Sequence, residues 1–152
     1  MAAFDFDATI LDFHTGGHWE GNKQDLVSHV RPDFKCYISL CLEKGIRVAV
    51  ATFSTQTMMI AKVLEEAIPH SRAKEIVVFG GDDHVKGYSK GKQSQLFLAV
   101  ERFNKQQEPS RGRATPITPP FTVLVDDDPE NIHVALKDGY KTIQFYPDSP
   151  PK

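Results

Sequence analysis

Five short apolar runs punctuate the chain, at residues 2–6, 46–51, 76–79, 121–125 and 142–145. The second, third and fourth are dense in Val and Ile and too short for helices, which predicts strands buried on both faces. Longer amphipathic segments lie between the runs, and their ends carry helix punctuation. Pro32 suits a first helical position, Phe34, Tyr37, Ile38 and Cys41 recur at helical spacing, and Gly45 suits the C-terminal cap. A second helix starts at Ser54 or Thr55 and is stopped by Pro69. A third carries Leu96, Val100 and Phe103 on one stripe. A fourth opens at Asp128-Pro129, buries Ile132, Ala135 and Leu136, and ends at Gly139. Residues 14–31 are polar without clear period, and residues 108–120, rich in Pro and polar side chains, read as an exposed, stiffened loop. This alternation predicts an α/β domain, a three-layer Rossmann-like arrangement around a mainly parallel five-stranded sheet.

Composition narrows the class. A chain of 152 residues, 40% apolar and 25% charged, is long enough to form one domain (expected over residues 1–146, with a short tail at 147–152) without disulfides or a structural metal. No apolar run approaches the roughly 20 residues that span a bilayer. No basic segment followed by an apolar one opens the sequence, so no secretory signal is read. Cys36 and Cys41 have neither metal nor redox spacing and are expected to be small buried side chains in a reducing compartment. With a net charge of −2, these features predict a soluble intracellular protein, cytoplasmic or nuclear.

In a parallel sheet, ligands bind beyond the carboxyl ends of the strands. The first run ends in Asp5-Phe-Asp7-Ala-Thr9, the second in Thr52-Phe53-Ser54, and the fourth in Asp126-Asp127-Asp128. If the first and fourth strands are neighbours, these five carboxylates cannot all stay ionised without a cation or a shared proton. Oxygen ligands without a His or Cys partner suit Mg²⁺ better than zinc. Each acid also has a plainer reading. An Asp-x-Asp pair is often a solvated strand exit, Asp128 before Pro129 is a natural N-cap, and Thr52 or Ser54 can cap the following helix. Asp126 and Asp127 have no such structural explanation.

These segments resemble the motifs of the haloacid dehalogenase (HAD) superfamily. Residues 3–11 are similar to its first motif, a strand followed by Asp-x-Asp-x-Thr. Residues 30–34 and 44–54 resemble its second region, an Arg-Pro-initiated helix, a Gly, and a strand ending in Thr or Ser. Residues 123–132 resemble its acidic fourth motif, and the likeness runs in the family's order from about residue 2 to 145. The resemblance implies a phosphoric monoester hydrolase that works through an aspartyl-phosphate. Asp5 would be the nucleophile and Asp7 the general acid/base. Thr52 would hold the transferring group, and Thr9, Phe53 and Ser54 would lie on the substrate side. Asp127 would ligate Mg²⁺ directly, alongside Asp5 and the backbone carbonyl of Asp7, with Asp126 either a further ligand or a support behind the ligands. The expected cation is a Lys opening the helix before the fourth strand. Lys92 fits best, four residues before Leu96, and Lys90 is the alternative; a Lys in a first helical turn is more often only solvated.

Other signals are weaker. His14, Gly16, Gly17, His18 and Trp19 fall where the family carries a flap over the site, or form an ordinary turn. Asp82-Asp83-His84 is a possible metal triad or a polar loop. A receiver-type signalling domain also joins acids, Thr and Lys at a parallel sheet, but places the Lys after the second group of acids, and here Lys92 precedes it. Only about 20 residues separate Leu11 from Arg31, which leaves no room for the family's cap domain. An uncapped site implies a large substrate, a phosphorylated protein or a nucleic-acid end. A small phosphate ester remains open if another subunit covers the site, as does a catalytically weak phosphate-binding module. From Lys86 to Arg113 seven basic residues face two acids, either a solvated face or a surface that steers a polyanion.

Overall fold

The computed structural model describes residues 1–107 and 115–147. Five strands form one parallel sheet, β1 (Ala2–Phe4), β2 (Val48–Ala51), β3 (Val77–Phe79), β4 (Val123–Asp126) and β5 (Lys141–Gln144), in the order β3-β2-β1-β4-β5. β1 is central, with Ala3 opposite Ala49 on one side and Leu124 on the other. The chain builds outward through β2 and β3, returns across the sheet, and builds outward again through β4 and β5. The direction of winding therefore reverses between β1 and β4, and the crevice of a doubly wound sheet opens there.

Alternation along the strands assigns the two layers. Ala2, Phe4, Val48, Val50 and Val125 share one apolar cluster with Leu26 of α1 (Lys23–Ser28), Phe34, Ile38 and Leu42 of α2 (Pro32–Glu43), and Ile60, Val63 and Leu64 of α3 (Thr57–Ala67). Ala3, Ala49, Ala51 and Leu124 face the other way, onto Leu96, Ala99 and Phe103 of α4 (Gln93–Lys105) and Ala135 of α5 (Pro129–Lys137). Small alanines on the second face let α4 and α5 approach closely.

The helix punctuation holds at α2, which has Pro32 in its first turn and Gly45 at φ +73 just past its end. It also holds at α5, where the Asp128 side chain accepts from the Glu130 amide. Several expectations are corrected. β3 is only half-buried, because it is a sheet edge rather than an interior strand. Tyr37 and Leu136 are exposed, since α2 and α5 each cover the sheet with a narrower stripe than their apolar spacing suggests. Cys36 is exposed and Cys41 half-buried, so neither is a core residue. The helix expected from Ser54 begins at Thr57, because the Ser54 hydroxyl takes the Gln56 amide in a turn. Within the polar stretch 14–31 lies α1, held against α3. Of the expected loop 108–120, residues 108–114 lie outside the described residues, and a 3₁₀ turn (Pro119–Phe121) leads into β4. Residues 148–152 of the expected tail also lie outside them. Among the described residues no helix is long and apolar enough to cross a membrane.

Candidate active site

The turn after β1 is tight and irregular. Buried Phe6, Ile10 and Leu11 pin it to the core, and the Leu11 amide reaches back to the Phe6 carbonyl at 2.9 Å. Ala8 sits at φ +55, a left-handed conformation that costs a non-glycine residue about 1 kcal/mol or more. That strained residue separates Asp7 from Thr9. Asp5 and Asp7 are both nearly buried, at 6% and 7% exposure. The Thr9 hydroxyl donates to Asp127 Oδ1 at 3.1 Å, tying the β1 turn to the end of β4.

At the end of β4, Asp126 is fully buried. Its Oδ1 accepts the Asp128 amide at 2.9 Å, and the Asn131 side-chain amide donates to both of its oxygens at 3.2 Å. Between β3 and α4, Gly91 at φ +52 delivers Lys92 to the N-terminal end of α4; a Cβ there would stand 3.2 Å from Val134 of α5. Lys92 is 2% exposed. Its ammonium bonds Asp5 Oδ1 and lies 2.8 Å from Asp126 Oδ2. Lys90 is exposed. Of the two lysines considered, the structure therefore brings Lys92 to the carboxylates.

The electrostatics follow from this count. Burial alone would lower the Lys92 pKa, but the carboxylates of Asp5 and Asp126 outweigh it and raise the value, so the ammonium stays charged. One ammonium does not compensate two buried carboxylates. Burial pushes Asp5 up to about 7, opposed by Lys92 and assisted by Asp126. Oxygens of Asp5, Asp126 and Asp127 lie within 4.8 Å of one another. An all-oxygen donor set with uncompensated negative charge fits a hard divalent cation such as Mg²⁺. Asp82, Asp83 and His84 do not form such a group among the described residues; Asp83 instead accepts the Gly80 amide at 2.6 Å.

The turn after β2 supplies the opposite wall. Thr52 Oγ1 accepts the Ser54 amide at 3.1 Å, which leaves its own proton free to donate. Phe53 is 54% exposed, with its ring centre 5.3 Å from Lys92 Nζ. Two glycines hold this turn against the loop after β3. A Cβ on Gly80 would lie 2.3 Å from the Ser54 carbonyl oxygen, and one on Gly81 the same distance from that of Phe53.

The result is a cavity of about 600 Å³ at the β1/β4 crevice. Asp5, Asp7, Thr52, Phe53, Lys92 and Asp127 line it, together with His14, Gly16 and Gly17 of the loop after β1 and Asp128, Pro129 and Asn131 from the start of α5. Thr9 and Ser54, expected on the substrate side, do not line it: the first orients Asp127 and the second closes the turn before α3. His18 and Trp19 lie outside the lining as well.

Sequence reasoning passed over three residues. Asn131 locks Asp126, and its signal was a poor helix former inside a helix that buries it. Thr15 donates to Asp7 twice, from its amide to Oδ1 and from its hydroxyl to Oδ2, each at 3.1 Å. Gln56 pairs its side-chain amide with the Trp19 backbone in both directions, accepting from the amide at 2.6 Å and donating to the carbonyl at 3.0 Å. No local pattern announces the last two: Thr15 reaches Asp7 through an irregular turn eight residues long, and Gln56 meets Trp19 from 37 residues away.

No family model and no curated protein sequence matches the chain. Among the solved structures that share its fold are two with HAD-like or phosphatase descriptions. One is the N-terminal part of a Bacteroides fragilis protein, containing a phosphatase domain complexed with Mg, with a TM-score of 0.62 at 16% identity over 97% of this chain. This chain spans 36% of that one's length. The other is a predicted HAD-like family hydrolase from Porphyromonas gingivalis, with a TM-score of 0.54 at 11% identity, covering 97% of this chain and 91% of that one. The likeness is one of fold: the chain has the HAD-like α/β architecture, with its acidic cluster at the sheet's switch point.

Proposed function

We propose that the protein is a Mg²⁺-dependent phosphatase that hydrolyses a phosphate monoester through a phosphorylated Asp5. The observation that carries this reading is Lys92, buried between Asp5 and Asp126, with Asp7 and Thr52 on the same cavity. A carboxylate attacks a phosphate dianion only where positive charge offsets the repulsion. Lys92 supplies one such charge. Asp5, Asp126 and Asp127 would hold Mg²⁺, which when bound adds charge neutralisation at the transferring phosphoryl group.

In the first step an Asp5 carboxylate oxygen attacks phosphorus, the bond from phosphorus to the ester oxygen breaks, and Asp7 gives its proton to the departing oxygen. The products are an alcohol and an acyl-phosphate on Asp5. In the second step Asp7 takes a proton from water as that water attacks phosphorus, and the Asp5 carboxylate departs with inorganic phosphate released. The Thr52 hydroxyl, whose proton is free, donates to a phosphoryl oxygen throughout. The two displacements are in line and share one acid/base, which accounts for an acid placed two residues from the nucleophile.

Support for an open-site substrate comes from the short segment between β1 and α2, which holds a loop and α1 and nothing of cap size. A phosphorylated protein, a nucleic-acid end or a small ester all remain within reach of such a mouth. The decisive test is Asp5→Asn. The purified chain with Mg²⁺ is expected to release phosphate from 4-nitrophenyl phosphate, reversibly lost on chelation, and the amide variant to release none. Turnover by Asp5→Asn at the wild-type rate overturns the reading.

A further inference from the structure

The loop between β1 and α1 is tied to the site at two points that the proposed chemistry does not yet use. Thr15 occupies both oxygens of Asp7. The same Thr15 hydroxyl accepts the Gly17 amide at 3.2 Å, so the residue joins Asp7 to another part of the cavity lining. Four residues on, the Trp19 backbone is clasped from both sides by the Gln56 side chain. Trp19 is further fixed by its ring, 5.5 Å from Phe13, and by its indole N–H on the Asn22 carbonyl at 3.0 Å. Gln56 belongs to the turn that carries Thr52, since its amide donates to Ser54 Oγ and the Ser54 amide donates to Thr52 Oγ1.

Resting on the phosphatase reading, we propose that Thr15 and Gln56 are positioning residues for Asp7: Thr15 aims the carboxyl group, and the Gln56 clasp on Trp19 holds the loop that carries Thr15. Thr15 acts only through the Asp7 carboxyl group and the Gln56 side chain only through the Trp19 backbone. The argument is geometric. Asp7 lies in an irregular turn beside a strained Ala8, and the only side-chain partner of its carboxyl group among the described residues is Thr15. Between Thr15 and Trp19 stand Gly16 and Gly17 at φ +75 and +84, with open space where their Cβ atoms would be. A segment of that kind does not hold its own shape. The Ala8 amide holds the Phe13 carbonyl at 3.0 Å on the near side of Thr15, and the clasp limits how far the glycine segment on its other side can carry Thr15 away. Because Thr52 and the clasp share one turn, the phosphoryl-binding hydroxyl and the proton donor keep a fixed relation across the cavity.

The consequence differs from simple damage to the fold. Proton donation by Asp7 matters in proportion to the basicity of the departing oxygen. A misaimed Asp7 slows expulsion of an alkoxide and hardly affects a stable phenolate such as 4-nitrophenolate. The readout is therefore kcat/KM, with Mg²⁺ saturating, for glycerol phosphate against 4-nitrophenyl phosphate. This ratio reports steps up to loss of the leaving group and excludes the later hydrolysis of the acyl-phosphate.

Thr15→Val keeps shape and amide but removes the hydroxyl. It is expected to lower the glycerol phosphate value by about tenfold or more, a fraction of the 10²–10⁴ that general acid catalysis contributes, and the 4-nitrophenyl value by about twofold or less. Thr15→Ser should restore the wild-type ratio. Gln56→Leu should shift the ratio in the same direction by about threefold, since it acts one link further away. Asp7→Asn sets the limit of the effect. Equal losses on both esters in Thr15→Val and Gln56→Leu, or no loss in either variant, overturn the positioning role. A wild-type chain that hydrolyses neither ester overturns the phosphatase reading itself.

Discussion

Lys92 holds together groups that would otherwise repel. Its ammonium sits between Asp5 and Asp126, all three withdrawn from solvent, so deleting it leaves two buried carboxylates facing one another. Breaking a buried ion pair from one side costs about 3–5 kcal/mol, and Lys92→Met in metal-free protein should lose that much near pH 7.5. The loss should depend on pH in a definite sense. Asp5 already titrates at about 7, above its ordinary 3.8, and without Lys92 it rises further. The folded state then binds a proton that the unfolded state has released. Stability is fully present below the unfolded value and falls as pH rises through the folded one. Urea unfolding at pH 5 and pH 7.5 should show the variant much closer to wild type at pH 5; an equal deficit at both values would remove the charge argument and leave only packing. Lys92 was recognisable in the sequence through the family resemblance, which implies a Lys opening this helix, with its place four residues before Leu96 choosing it over Lys90. Its burial was not, because the groups that meet its ammonium, Asp5, Asp126 and the ring of Phe53, come from two other strand ends and the turn after a third, more than 30 residues away in sequence.

At the scale of elements, the legible parts were those that local chemistry determines. Pro32 and Asp128 mark helix starts through backbone geometry and capping, and both stand where expected. Strand ends carrying Asp5 and Asp126 were legible because apolar runs stop there. α1 was not, since Leu26 is its one buried residue and the helix leans on α3 for stability. The half-burial of β3 was illegible for a similar reason: whether a Val-rich strand is an edge depends on sheet order. Gly80 and Gly81 fall between these cases. Paired glycines directly after a strand signal close backbone approach, though not what approaches. It is the turn holding Thr52. Gly81→Ala would put a methyl group 2.3 Å from the Phe53 carbonyl oxygen, and backbone cannot yield as a flexible side chain does. The expected result is a loss of about 1–3 kcal/mol of stability, together with weaker binding of inorganic phosphate as Thr52 moves. Wild-type melting and phosphate affinity in Gly81→Ala would mean that the two turns are not so tightly joined.

Across the whole molecule the basic segment divides. Lys86 and Lys90 are exposed in the loop leading to Lys92, whereas Arg102 and Lys105 stand near the far end of α4. Thirteen residues of helix span about 20 Å, twice the roughly 8–10 Å over which exposed charges are felt at moderate salt. Lys105 is moreover paired with Glu101 at 2.9 Å. Arg111 and Arg113 lie outside the described residues. Neither Lys86 nor Lys90 lines the cavity, whose walls include Asp128, so a polyanion entering it gains at most these two lysines, partly offset by a carboxylate. A polyanion guided by about one net contact loses only about threefold in affinity over a fourfold rise in salt, against far more for a run of phosphate contacts. The expected outcome is that kcat/KM for a 5′-phosphorylated single-stranded oligonucleotide, divided by that for 4-nitrophenyl phosphate, changes by about threefold or less between 50 and 200 mM salt. A fall of about thirtyfold would require about three or more phosphate contacts, beyond what Lys86 and Lys90 can make, and would assign the basic segment to substrate steering after all. Near-equal slopes would leave Lys86 and Lys90 as solvated surface charges with no part in capturing the substrate.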